Sequence, residues 1–122
     1  MFNIAIIGGE NTNNYKFFQE KCINLLRNKA KSGEGIRILT IGDDYVDAFA
    51  NRFSIETKTY YCDWNTLGKE ALKDRNRRII NDCDAVLYFD TGKRDLNYLF
   101  QYAIYKNKIN RHVIVPQEII NL

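Results

Sequence analysis

Apolar positions along this chain fall into short continuous runs that alternate with segments of helical spacing. Phe2–Ile7 is almost wholly apolar and stops at Gly8-Gly9, the pattern of a strand buried on both faces and followed by a tight turn. From about Asn14 to Ala30, Phe18, Cys22, Leu25 and Leu26 recur on one helical face. Ser32-Gly33-Glu34-Gly35 then ends that helix, with glycine available for a left-handed cap. Ile36–Ile41 is a second strand, stopped by Gly42. Asp43 is placed to cap a helix in which Val46, Phe49, Ala50 and Phe53 keep the i, i+3, i+4, i+7 spacing.

Ile55–Cys62 reads as a third strand, more polar and alternating, and so at a sheet edge. Residues 63–82 are charged, with helical spacing firmest near Ile79 and Ile80. Ala85–Phe89 is a fourth, wholly apolar strand. Leu96, Leu99, Phe100, Ala103 and Ile104 mark another amphipathic helix, and Arg111–Val115, closed by Pro116, is the fifth strand. Strands that alternate with helices pair in parallel, because a parallel neighbour needs a crossover, and crossovers are right-handed. The expected fold is α/β and Rossmann-like: a doubly wound, five-stranded parallel sheet in order 3-2-1-4-5, helices on both faces, one domain over 1–122.

Composition narrows the partners. With 122 residues, 45% of them hydrophobic and a single proline, the chain has room for one core and lacks the bias of a disordered segment. Its 18 basic and 15 acidic side chains leave a formal charge of +3, too small an excess for a dedicated nucleic-acid surface. Cys22, Cys62 and Cys83 are odd in number and lack C-x-x-C spacing, so neither a disulfide framework nor a zinc knuckle is expected, and a reducing cytoplasm is the natural compartment. No apolar run approaches the length of a membrane span or a signal h-region, and no membrane association is expected.

In an open parallel sheet, ligands bind outside the carboxyl ends of the strands. That rule nominates Gly8-Gly9-Glu10-Asn11, Gly42-Asp43-Asp44, Asp63-Trp64 and Asp90-Thr91-Gly92-Lys93-Arg94, each at or near a helix N-terminus, where free N–H groups favour an anion. Gly8-Gly9 admits close backbone approach, or serves turn geometry alone. Neither G-x-G-x-x-G nor G-x-x-x-x-G-K-[ST] is present. Asp43, Asp44 and Asp47 crowd one first helical turn, where capping accounts for Asp43 and Asp44. They have no His or Cys at ligand spacing, so no metal and no cofactor are expected. Lys93 and Arg94 are well placed to meet a phosphate, whereas Arg77 and Arg78 read as a solvated face. Trp64 either stacks on a base or anchors its loop. His112 opens the last strand with nothing placing it near Cys62, and no catalytic residue is assigned.

The segment Asp63-Trp64-Asn65-Thr66-Leu67-Gly68-Lys69-Glu70-Ala71-Leu72-Lys73-Asp74-Arg75-Asn76 resembles the D-W-x-x-x-G-[RK]-x-A-G-P-x-R-N element of small YspA-type proteins of the SLOG superfamily, relatives of the lonely-guy enzymes. Asp63, Trp64, Gly68, Lys69, Ala71, Arg75 and Asn76 match, while Leu72 and Lys73 replace Gly-Pro. Gly42, Asp47 and Ala50 match the branch's G-G-A-x-G-A-D-x-L-A, and Ile7-Gly8-Gly9-Glu10 resembles its T-G-[SG]-R with Glu10 in place of Arg. After the fourth strand, Asp90-Thr91-Gly92-Lys93-Arg94-Asp95 stands where relatives have G-G-x-G-T.

The resemblance implies a nucleotide or nucleotide-derived phosphate ligand. Gly8, Gly9, Gly42 and Gly92 would admit its phosphate or sugar, and Lys93, Arg94 and Arg75 would offset its charge. Asp47 and Asp63 would orient polar loops or ribose hydroxyls, with Glu10, Asp43, Trp64, Lys69 and Asn76 lining the site. A sensor or sequestering role in a homodimer or higher homo-oligomer is expected. One alternative is a phosphoribohydrolase or deoxyribosyltransferase acting at a glycosidic bond. Another is an interaction protein of phage or mobile-element origin with a vestigial pocket. Glycosidic relatives carry a glutamate on the helix after the fourth strand, and residues 96–104 contain no acid.

Overall fold

Strands β1 (Phe2–Ile7), β2 (Ile36–Thr40), β3 (Glu56–Thr59), β4 (Ala85–Asp90) and β5 (Ile109–Ile114) form one sheet in a computed structural model that describes residues 1–90 and 97–116. The order is β3-β2-β1-β4-β5 and every pair is parallel, so the doubly wound, Rossmann-like topology is the one expected from the alternation of runs. Helices α1 (Tyr15–Lys31), α2 (Asp44–Arg52), α3 (Trp64–Leu67), α4 (Ala71–Asp82) and α5 (Asn97–Tyr105) make the crossovers.

The strand side chains alternate between two cores. Ile4 and Ile6 of β1, Ile38 of β2, and Leu87 and Phe89 of β4 pack against Phe18, Cys22 and Leu26 of α1 and Val46 and Phe49 of α2. Ala5, Ile7, Leu39, Val86 and Tyr88 point the other way, onto Ile79 and Ile80 of α4 and Leu99 and Ala103 of α5. Burial on both faces is why β1 and β4 read as unbroken apolar runs. At the sheet edge, Glu56, Thr57 and Lys58 of β3 are exposed.

Several expected boundaries move. Leu25 lies beside rather than on the α1 stripe of Phe18, Cys22 and Leu26 and is 37% exposed. Phe53 follows α2 as its C-cap and is half-exposed. β3 ends at Thr59, after which Tyr60 turns its ring into the core and its hydroxyl donates to Asp82 Oδ2 at 2.6 Å. β5 begins at Ile109, aligned with Ala85, two residues before the expected start. The stretch 63–82 divides into α3, a 3-10 turn (Gly68–Glu70) and α4. The division falls at Gly68, whose φ of 53° and ψ of −123° lie in a region that side chains rarely adopt. Among the described residues, no helix is long and apolar enough to cross a membrane.

Candidate functional site

At the carboxyl end of the sheet, β1 runs into a left-handed residue, Gly8 (φ 83°), and then a 3-10 turn, Gly9–Thr12. Buried Thr12 steadies that turn by donating its hydroxyl to the Gly9 carbonyl at 2.9 Å. Asp43 caps α2: its Oδ1 accepts the N–H groups of Tyr45 at 2.9 Å and Val46 at 3.4 Å. Its Oδ2 accepts the Glu10 N–H at 3.0 Å, and Glu10 Oε1 in return accepts the Asp44 N–H at 2.8 Å. The two loops are thus latched by reciprocal carboxylate-to-backbone bonds, and Glu10 occupies the anion-attracting N-terminus of α2.

Gly8, Glu10, Asn11, Ile41, Gly42 and Asp43 enclose a small notch of about 110 Å³ beside this latch. Asp43 is 6% exposed. Burial raises its carboxyl above the ordinary range and the Glu10 charge adds to the shift, while the bonds from the Glu10, Val46 and Tyr45 N–H groups oppose it. A notch walled by two carboxyl groups accepts hydroxyl or amino donors and repels a phosphate. Among the described residues, the second oxygen of Glu10 accepts no hydrogen bond, and its side chain is exposed.

The glycines divide by cause. A Cβ on Gly8 would come within 2.7 Å of the Phe89 carbonyl oxygen, and one on Gly9 within 2.7 Å of the Phe18 ring. Both are therefore required by internal packing. Gly42, with φ 94° and open space around it, is required by its backbone angle and leaves the notch mouth clear.

Asp63, Trp64, Lys69, Arg75 and Asn76 lie together in the segment that runs from the end of β3 into α4. Asp63 caps α3 by accepting the Thr66 N–H at 3.2 Å. Trp64 is 56% exposed, which removes the loop-anchor alternative. Lys69 is exposed in the 3-10 turn, and Arg75 and Asn76 are half-buried on α4, the guanidinium donating to Asn76 Oδ1 at 3.2 Å. Arg77 and Arg78 are exposed as expected, and Arg78 bonds Asp74 at 2.9 Å and the Tyr61 carbonyl at 2.6 Å. The structure brings Gly8, Glu10, Gly42 and Asp43 into one notch. Asp47 stands exposed in the first turn of α2. Gly92, Lys93 and Arg94 lie outside the described residues.

One pair went unnoticed in the sequence. His112 Nε2 lies 2.8 Å from Asp90 Oδ2, at the carboxyl end of β4 and on the face that carries Tyr88, whose ring meets the imidazole edge-on. His112 is the fourth residue of β5, aligned with Tyr88, and not its first. Only the β4–β5 register reveals the pairing. Among the described residues, no cluster of three or more His, Cys, Asp or Glu side chains could hold a metal ion.

No family model matches this chain, and no curated protein or solved structure matches it.

Proposed function

We propose that this protein is a SLOG-type binder of a nucleotide or nucleotide-derived phosphate, held outside the carboxyl ends of its strands in a sensor or sequestering role. The Glu10–Asp43 latch carries the reading, because it offers a fixed, partly buried acceptor wall outside the carboxyl ends of β1 and β2, on the end of an open parallel sheet that receives ligands. Such a wall suits ribose-type hydroxyls. The phosphate falls to the cationic side, where Lys69 and Arg75 stand on the stretch that matches the family element. Both ends are met only by a ligand that joins a polyol to an anion.

The test is a thermal-shift series with adenosine, adenosine monophosphate, ADP-ribose, cyclic dinucleotides and inorganic phosphate. A ligand at 100 times its Kd stabilises by about 2.7 kcal/mol, a rise of roughly 10 °C for a chain of this size. Glu10→Gln weakens binding of the active nucleotide at least about tenfold while the protein stays folded. A shift produced equally by inorganic phosphate, or an unchanged affinity in Glu10→Gln, refutes the assignment.

The Asp90–His112 pair favours a second reading, cleavage of a glycosidic bond. A carboxylate oriented by an imidazole at the strand end would stand in for the glutamate missing from α5. Steady release of free base from nucleoside monophosphates, abolished by Asp90→Asn, would establish it. We assign the protein to a reducing cytoplasm, which three thiols outside any disulfide support. We also propose a homodimer, supported by the exposed apolar side chains Ile104, Tyr105, Ile109 and Ile114 along α5 and edge strand β5. Sedimentation velocity reports that assembly directly.

A further inference from the structure

A second cavity lies far from the carboxyl-end loops, on the α1–α2 face. It measures about 480 Å³, within the range of small-molecule sites. Its origin is a mismatch in helix length. The 17 residues of α1 extend about 26 Å, whereas the nine of α2 extend about 14 Å. The second half of α1 therefore meets only the end of α2, Phe49 and the C-cap residue Phe53, over Ile36 and Ile55. Leu26 and Phe49 form the floor, and Ile23, Ile36, Phe53 and Ile55 form the walls.

The polar groups on this groove all carry one sign. Arg27 and Lys31, one turn apart on α1, line it together with Ala30. Among the described residues, the Arg27 guanidinium hydrogen-bonds the Asn24 side-chain oxygen alone, at 3.4 Å, and Lys31 has no hydrogen-bond or ion-pair partner. The nearest acid along the chain, Glu34, is already engaged by Lys29 at 3.3 Å. Among the described residues, no carboxylate lines the groove. An apolar trough with two uncompensated cations on its rim is complementary to an apolar chain ending in an anion. A second copy of the chain fits poorly, since a two-fold contact here would gather four cations, Arg27 and Lys31 of each copy, into one interface whose described lining holds no acid.

We propose that this groove binds a free long-chain carboxylate, its alkyl chain on Leu26 and Phe49 and its head group on Arg27 and Lys31. The test uses dodecanoate below its micelle concentration, with dodecan-1-ol and dodecyltrimethylammonium as neutral and cationic counterparts. Each displaces the fluorescent anion 1-anilinonaphthalene-8-sulfonate from the full chain. Dodecanoate is expected to bind at least about tenfold tighter than the ammonium compound. It should weaken by at least about tenfold in the Arg27→Ala/Lys31→Ala variant, in which dodecan-1-ol binding is unchanged. Ala30→Trp, which plugs the exposed mouth, abolishes binding of both, and Ala30→Leu serves if circular dichroism finds the tryptophan variant unfolded. The proposal is overturned if the ammonium compound binds as well as dodecanoate, or if the plugged variant still binds. It is equally overturned if sedimentation shows a dimer that the plug dissociates, which would mean that a second copy covers the groove.

Discussion

Replacing Gly8 by alanine separates two demands that meet at one residue. Its φ of 83° and ψ of 15° lie in the left-handed region, where an L side chain costs roughly 1–2 kcal/mol. The added Cβ would also sit 2.7 Å from the Phe89 carbonyl oxygen. Phe89 cannot retreat freely, because β4 is held between β1 and β5. Overpacking of that kind adds about 1–3 kcal/mol, so the whole substitution should destabilise by roughly 2–5 kcal/mol. Gly42 and Gly33 are controls: their φ values are 94° and 77°, with nothing within 4 Å of a built Cβ. Each should lose only the conformational part, about 1–2 kcal/mol. Urea midpoints and thermal melts at neutral pH measure all three, with about 10 °C or more expected for Gly8→Ala and about half that for the controls. Equal losses at the three positions would refute the packing argument and leave the backbone angle as the whole structural demand on Gly8.

Asp43 gives a pH signature. Its folded pKa is raised, so the folded state holds the proton more tightly than the unfolded chain, and its contribution is fullest below the ordinary value of 3.8 and lost as pH rises through the folded value. The stability of wild type relative to Asp43→Asn, from urea midpoints, should therefore fall as pH rises above that ordinary value; a flat or rising difference contradicts the assignment. The cysteines should react in two classes, since burial pushes the Cys83 thiol up to about 11 and the buried Cys22 thiol above the usual thiol range, while Cys62 is half-buried. An aromatic disulfide reagent at pH 8 should label Cys62 alone until the chain is unfolded, and two fast thiols would be the wrong count. For the nucleotide that stabilises the protein, Arg75→Ala should lower affinity at least about tenfold by isothermal titration and Arg78→Ala less than about twofold, because Arg78 is engaged by Asp74 and Tyr61; the reverse ranking rejects the α4 site.

The sheet was legible because burial on both faces writes itself into consecutive residues: Phe2–Ile7 and Ala85–Phe89 admit little else, and the helices between them fix parallel pairing. The edges were less so. β5 opens on an exposed Ile109 that Asn110, Arg111 and His112 separate from the next apolar residue, so its start makes no apolar run. The site was legible only where a role is local. Asp43 and Asp63 cap the helices that follow them, and spacing alone predicts that. Gly8 answers to Phe89 and Glu10 to Asp44, partners distant in sequence that no window contains. The Asp90–His112 contact required the β4–β5 register, and nothing in the residues around Trp64 distinguishes an exposed ring from a buried one.

The placement of charge at the carboxyl end has a consequence for ligand shape. A helix N-terminus beside a strand end ordinarily receives an anion, and at α2 that position already holds the Glu10 carboxylate. A phosphate entering there would have to displace Glu10 and face buried Asp43 as well, two charge oppositions in place of one favourable dipole. On the α4 side the balance is opposite, since Lys69 and Arg75 are cationic and the Arg75 guanidinium is already steered by Asn76. A charge-assisted bond to phosphate there is worth about 1.5–3 kcal/mol. A free base engages neither side, and inorganic phosphate engages only one. If the proposed nucleotide reading holds, a molecule that carries hydroxyls at one end and an anion at the other would be preferred over either fragment, because the two sides of the carboxyl end carry opposite charge.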